Sequence, residues 1–175
     1  KRQSIKSINH SIIRFSENEL INFSNNDYLG LSENKLIKES IIDGLNEYGN
    51  SASASHLISG HYQIHDDLES FAASLLGFER SLLFSSGYSA NIGVIPSICG
   101  KGDVIFSDKL NHASLNEACT LSHAKFLRFA HNDMSNLEHL LMQQTSNRKI
   151  IVSDAVFSMD GDIANIPKIL DLCDK

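Results

Sequence analysis

Long apolar runs are missing from this sequence. Stretches such as Ala72 to Phe78 stop far short of the ~18 residues that a membrane-spanning helix needs, so no membrane helix is expected. Proline is scarce, at 2 residues against 10 glycines, and the 42% hydrophobic and 21% charged content lies outside the disordered and collagen-like ranges. The 3 cysteines, Cys99, Cys119 and Cys173, are an odd number with no Cys-x-x-Cys pair. They read as small buried hydrophobes of a reducing, cytoplasmic compartment. An excess of basic residues is also lacking. A net charge of −6 and a pI near 5.7 argue against nucleic acid, whose binding footprint is a basic face, and leave a small molecule or another protein chain as partner. No apolar signal-peptide core follows the start at Lys1, and because Lys1 is not Met the visible start is not expected to be the biological one.

What is present is enough for one folded domain: 175 residues and 19.4 kDa can bury roughly 70% of the unfolded surface. Lys1, Arg2, Lys6 and Arg14 all precede the first acid, Glu17; this basic arm is either simply solvated or anion-contacting. There is no internal repeat, and Ser51 to Ser55 is the one low-complexity alternation. Ile12 to Phe15 and Leu20 to Phe23 are expected to pair as a hairpin. Leu36, Ile37, Ile41, Leu45 and Tyr48 repeat at helical spacing up to Gly49, and Ile64, Leu68, Phe71, Leu75 and Leu76 do so up to Gly77, a C-terminal capping glycine.

From Leu82 onward short apolar strands alternate with helices. Strands are expected at Leu82 to Phe84, Val104 to Phe106, Lys125 to Phe129 and Ile150 to Ser153. Helices are expected through Ile98, near Ala113 to Leu121, after a capping box Ser135-Asn-Leu-Glu138, and from Ile166 to Cys173. This rhythm predicts an α/β fold with a largely parallel sheet covered on both faces, and the chain stops inside it.

Ligands of such sheets gather beyond the carboxyl ends of the strands, and there the loops are polar: Ser85 to Tyr88, Ser107 to His112, Ala130 to Asp133 and Asp154 to Asp162. Three of the four are expected around one crevice. Gly87 stands between a strand and a helix start, where free N–H groups and the helix dipole favour a phosphate; a plain capped turn is the alternative. The Walker and G-x-G-x-x-G patterns are both absent. Gly87-Tyr-Ser-Ala-Asn91 has the start of an esterase elbow without its final Gly, so Ser89 is a weak nucleophile candidate. His61 and His65 stand four apart at a helix start, but no Glu follows His61 and no third ligand is close in sequence, so a capping or surface role is favoured over metal, and no metal site is assigned. His112 lies between a strand and a helix, where it either stays structural or lies over a ring. Asp154 and Ser158 follow the fourth strand, in a loop that could equally be a solvated turn at Asp160-Gly161.

Six segments in order, Asn22-Phe-Ser-Asn-Asn-Asp-Tyr-Leu-Gly-Leu31, Leu57-Ile-Ser-Gly60, Ser86-Gly-Tyr-Ser-Ala-Asn91, Asn111-His-Ala-Ser114, Arg128-Phe-Ala-His-Asn-Asp133 and Val156-Phe-Ser-Met-Asp-Gly-Asp162, resemble the α-oxoamine synthases. The resemblance runs from about Asn22 to the end, and the Arg128 and Asn22 segments look most like the biotin-pathway branch. It implies a three-layer, mostly parallel α/β sheet of the aspartate aminotransferase type, fold type I of the pyridoxal-phosphate enzymes, incomplete in this chain. Residues 1–48 are then expected to be an N-terminal arm, hairpin and helix, and residues 49–175 the first part of the large cofactor domain.

The implied reaction is a decarboxylating condensation of alanine with a pimeloyl thioester, carried by coenzyme A or an acyl carrier protein. Related branches use glycine, and a non-catalytic ligand-binding or dimerising piece is the other reading. The implied cofactor is pyridoxal 5′-phosphate, the electron sink. By resemblance, the Gly87 and Tyr88 backbone holds its phosphate. His112 stacks over its ring and steers substrate as the catalytic group. Ser158 bonds its phenolic oxygen, with Asp154 beside it. Asn26 positions the amino-acid carboxylate, and Arg2 is the candidate substrate arginine. A homodimer with sites at the subunit interface is implied as well.

Two departures stand out. Where the family has a glycine-rich run, this chain reads Asn50-Ser-Ala-Ser-Ala-Ser55, and alanine resists positive φ. The family's Schiff-base lysine, its pyridine-pairing aspartate and the adjacent histidine all belong downstream of Lys175.

Overall fold

The computed structural model describes residues 4–9, 11–15, 17–146 and 148–175. The chain divides into two compact units, Lys1–Ser81 and Leu82–Lys175.

In the first unit β1 (Lys6–Asn9), β2 (Ile12–Phe15) and β3 (Asn18–Ile21) form an antiparallel sheet in that order. The expected hairpin is therefore present in a shifted form. Phe15 pairs with Asn18 and Ile12 with Ile21, so the second strand ends two residues before Phe23, and β1 extends the sheet through pairs such as Ser7 with Ile13. A tight antiparallel connection sets register from the turn outward, which places Asn18 rather than Leu20 at the start of the strand. The helix α1 (Lys35–Tyr48) opens on Asn34, whose side chain accepts the N–H groups of Leu36 and Ile37, and closes at Gly49. The helix α2 (Gln63–Leu76) closes at Gly77, which adopts the left-handed conformation (φ 73°).

The loop between these helices answers the question raised by its missing glycines. Its left-handed residue is Ser53, at φ 60°, while the alanines on either side are spared. The glycine that matters is Gly60, where a Cβ would come within 2.0 Å of the Ala54 carbonyl oxygen. The close approach of two backbone segments, rather than a turn, demands glycine there.

The second unit follows the alternating rhythm. The helix α3 (Gly87–Ile98) precedes β4 (Val104–Asp108), and α4 (Ala113–Leu121), β5 (Lys125–Phe129), α5 (Met134–Met142), β6 (Lys149–Val152) and α6 (Ile166–Cys173) follow. The sheet is parallel, in the order β5-β4-β6. Central β4 is buried along its whole length, as a strand covered on both faces must be. Its side chains alternate between two cores. Val104 and Phe106 pack with Phe129, Leu137, Ile169 and Leu172; Ile105 packs with Ile95, Cys99, Ala118 and Cys119. Helices α5 and α6 therefore cover one face and α3 and α4 the other, giving the three layers.

Two local expectations are corrected. Leu82 to Phe84 forms no strand among the described residues, because a strand exists only through a paired neighbour. Phe84 instead sets its ring against Gly93 of α3, where a Cβ would lie 3.1 Å from it. The helix α5 is capped by Asp133, whose side chain accepts the Asn136 N–H at 2.9 Å, and not by Ser135. The helix begins one residue before Ser135, so that serine is already inside it, and Glu138 pairs with Lys175 at 2.7 Å instead of closing a capping box.

Candidate functional site

Beyond the carboxyl ends of β4 and β6 lies a cavity of about 630 Å³, in the size range of small-molecule sites. It is lined by Gly87, Tyr88 and Asn91, by Leu110 to Ser114, and by Asp154 with the Val156 to Asp160 segment. Three of the four polar loops thus share one crevice, and the structure brings Gly87, Tyr88, His112, Asp154 and Ser158 together there.

The start of α3 lines one side of this cavity, through Gly87, Tyr88 and Asn91. Ser86 is the N-cap, accepting the Ser89 N–H at 3.0 Å, while Ser89 Oγ accepts the Ser86 N–H at 3.1 Å. This reciprocal box occupies Ser89, so the elbow reading fails: its hydroxyl caps a helix. The first-turn N–H groups of Gly87 and Tyr88 have no intrahelical acceptor, and with the helix dipole behind them they suit an anion. Tyr88 donates its hydroxyl to Glu117, and that acceptor holds the phenol above its ordinary pKa.

His112 is the N-cap of α4. Its Nδ1 accepts the Ser114 N–H at 3.2 Å and lies 2.7 Å from Ser114 Oγ. Because a nitrogen that accepts the Ser114 N–H carries no proton of its own, the Ser114 hydroxyl, which accepts from Asn91 Nδ2 at 2.9 Å, is the donor to His112. Nδ1 is therefore the acceptor of a neutral ring, and Nε2 carries the proton. The backbone is fixed too: Asp154 Oδ2 accepts the His112 N–H at 2.7 Å, and Asn111 Oδ1 accepts the Asp154 N–H at 2.8 Å. Asp154 is thus a strut that ties the loop after β6 to the loop after β4. The ring itself is exposed and meets Tyr88 edge-on, with centroids 6.1 Å apart. Ser158 is exposed on the cavity wall and makes no hydrogen bond with the described residues.

Asn91, Asn111 and Ser114 carry the second layer of this site. Each stands inside a segment quoted for the resemblance, but short polar residues at helix starts are ordinary caps. Only the contact across to His112 or Asp154 gives them a role.

Asn26 lies in the first unit, exposed, with its Oδ1 accepting from the Tyr28 hydroxyl at 3.4 Å. Arg2 lies outside the described residues. His61 and His65 gain a third imidazole that spacing did not suggest, His56, whose ring centroid lies 4.9 Å from His61 and 4.6 Å from His65. The three offer ring nitrogens within 4.8 Å of one another. Their hydrogen bonds belong to the helix start. His65 Nδ1 accepts the Tyr62 N–H at 2.9 Å, His61 Nε2 meets Asp66 at 2.9 Å, and the Nδ1 atoms of His56 and His61 bond each other at 2.8 Å.

A parallel sheet in three layers, with a polar crevice at its strand ends and a helix start on the crevice wall, defines a cofactor-binding α/β fold. Residues 18–175 match the profile of the class I and II aminotransferases, and the chain belongs to that family. Within it, the chain is similar to the 8-amino-7-oxononanoate synthase of Methylobacillus flagellatus, with 53% identity over 73% of this chain and 32% of the relative. It is similar to the enzyme of the same name from Chromobacterium violaceum, with 43% identity over 100% of this chain and 46% of the relative. The serine palmitoyltransferase of Sphingomonas wittichii superposes with a TM-score of 0.92 at 29% identity, over 98% of this chain and 44% of that one. All are α-oxoamine synthases, and the fold is that of the type I pyridoxal-phosphate enzymes. The chain spans less than half the length of these relatives.

Proposed function

We propose that this chain is the cofactor-cradling N-terminal part of a pyridoxal-phosphate acyltransferase. The reaction joins L-alanine to a pimeloyl thioester with loss of carbon dioxide, giving 8-amino-7-oxononanoate for biotin. The observation that carries the reading is the His112 assembly: an exposed imidazole with one tautomer, buttressed by Ser114 and Asp154, beside a helix start with unused N–H groups. The identity to synthases of that name supports the choice of branch. Residues 49–175 are assigned to the large cofactor domain and residues 1–48 to the arm that precedes it.

The donor set fits pyridoxal 5′-phosphate. Gly87 and Tyr88 N–H groups would take the phosphate, the His112 ring would lie over the pyridine, and the Ser158 hydroxyl would meet the phenolic oxygen. When bound, this group supplies an electron sink for carbanion chemistry. The protein's own contribution is orientation: Asp154 and Ser114 hold His112 so that its Nε2 proton stands at the cavity, and the capping box keeps the α3 start rigid. Asn26 is assigned to the amino-acid carboxylate, and Arg2 is the candidate substrate-contacting arginine. The many exposed large apolar side chains, Phe23, Leu57 and Met159 among them, support a homodimer, since such surface is covered in assemblies. Coenzyme A or an acyl carrier protein brings the acyl group.

Fluorescence titration with pyridoxal 5′-phosphate tests the cradle. Saturable binding is expected, competed by inorganic phosphate and weakened about tenfold or more by Ser158→Ala or His112→Ala, the scale of one lost ligand hydrogen bond. Failure to saturate would remove the cofactor reading. In a protein carrying this chain in full, L-alanine with pimeloyl thioester is expected to release carbon dioxide faster than glycine does; a preference for glycine would move the assignment to another branch.

A further inference from the structure

The fourth polar loop, after β5, does not line the cavity, yet it holds two of the cavity's walls. Asp108, the last residue of β4, is 1% exposed. Its Oδ1 accepts the Leu110 N–H at 2.8 Å and its Oδ2 the Asn132 N–H at 2.8 Å, and Oδ1 also meets His131 Nδ1 at 2.9 Å. On the other side of the ring, His131 Nε2 meets Asp162 Oδ2 at 2.9 Å. An imidazole can donate to carboxylates from both nitrogens only as the cation. That cation is also the counter-charge of Asp162, whose side chain is 38% exposed. Its Oδ1 has no partner among the described residues, so its hold on the fold runs through Oδ2, to His131 and, at 3.5 Å, to Asn132 Nδ2.

Each carboxylate anchors one wall. Asp108, through Leu110, sets the turn that leads to His112. Asp162 closes the hairpin that carries Ser158: Asp162 O accepts the Phe157 N–H at 2.9 Å, Phe157 O accepts the Gly161 N–H at 2.7 Å, and Val156 bridges Ile163. Phe157, a wall residue, meets the His131 ring edge-on at 4.5 Å. We propose that His131 is a positioning residue, a doubly bonded cation that locks together the wall bearing His112 and the wall bearing Ser158. The lock itself stands on these contacts, and only its effect on cofactor binding rests on the function proposed above.

The charged groups facing the ring are Asp108 from β4 and Asp162 from the hairpin; Phe157 and Asn132 add none. Both carboxylates raise the His131 pKa above its ordinary 6.5, the Asp108 hydrogen bond most. For a group raised on folding, the contribution is complete below that ordinary value and disappears as pH climbs through the folded one. The lock is therefore closed below that ordinary value and opens as pH climbs through the raised one.

Nitrogen-15 NMR of the 175-residue chain without ligand tests this. At pH 7 both His131 ring nitrogens are expected to be protonated. In His131→Gln the amides of Leu110, Asn132, Phe157 and Gly161 are expected to exchange roughly tenfold faster while those of Ala118 and Leu137 do not. Asp162→Asn keeps the Asp108 contact, so it covers the case in which His131→Gln fails to fold. There Phe157 and Gly161 speed up, Leu110 does not, and the titration midpoint of His131 falls. A neutral His131 at pH 7, or acceleration spread evenly to Ala118 and Leu137, would overturn the proposal. Subsequent addition of pyridoxal 5′-phosphate separates the two readings: loop-specific exchange with no cofactor binding would support the lock and sink the cofactor assignment.

Discussion

Cys119 and Cys173 show how far one residue type can diverge in one chain. Cys119 is fully buried beside Ile105 and Ala118, and burial, with Cys99 nearby, pushes its thiol up to about 11. Cys99 is raised for the same reason, whereas Cys173 is exposed. Since the thiolate is the reactive form, a maleimide at neutral pH is expected to label Cys173 first, with Cys99 and Cys119 reacting only on unfolding. Mass spectrometry of a time course reads this out; prompt modification of Cys119 would contradict the packing. The sequence suggested buried thiols from their apolar neighbours. It could not single out Cys173, because its place on the outer face of α6 depends on what that helix covers. His112 and Ser89 show the same limit. Both precede a run of small residues, but Ser89 closes a capping box and His112 faces the cavity, a distinction made by contacts with Ser86 in one case and Asp154 in the other.

At the scale of elements, local signals located helices well and their first residues less well. Gly49 and Gly77 end their helices as composition suggests. For α5 the sequence pointed to a capping box at Ser135, but the Asn136 N–H donates to the Asp133 side chain, which places the cap two residues earlier. Removing a working cap costs about 1 kcal/mol, so Asp133→Ala is expected to lower stability by that order, whereas Ser135→Ala, an exposed substitution, should stay within about 0.5 kcal/mol. Paired urea unfolding curves check both. Equal losses would return the cap to Ser135. Leu82 to Phe84 carries a strand pattern without a strand, since apolar alternation states which residues want burial and says nothing about whether an edge is there to receive them.

For the molecule as a whole, the informative strand is β4. Its five consecutive buried residues place it between two layers of helix, and Phe106, fully buried with Phe129 among Leu137 and Ile169, is one of the two large rings joining the sheet to α5 and α6. Truncation to alanine at such a site costs about 3–5 kcal/mol, a large part of a small domain's stability. Phe106→Ala is expected to bring the urea midpoint of the Leu82–Lys175 unit down sharply; a loss under about 1 kcal/mol would mean that the two-faced core does not carry the stability its burial implies.

Hydrophobic periodicity alone determined the alternation of strand and helix, the parallel sheet and the polarity of the loops, because period and capping are properties of neighbours in the chain. Family likeness in six short segments added the cofactor class. Only the tertiary structure decided that Asp108, His131 and Asp162 meet, that Asp154 braces His112, and that Gly60 must admit the Ala54 carbonyl. Each of these joins residues from separate segments through hydrogen bonds or close contacts that hold over a few tenths of an ångström. No linear pattern encodes that placement before the sheet and its helices have packed.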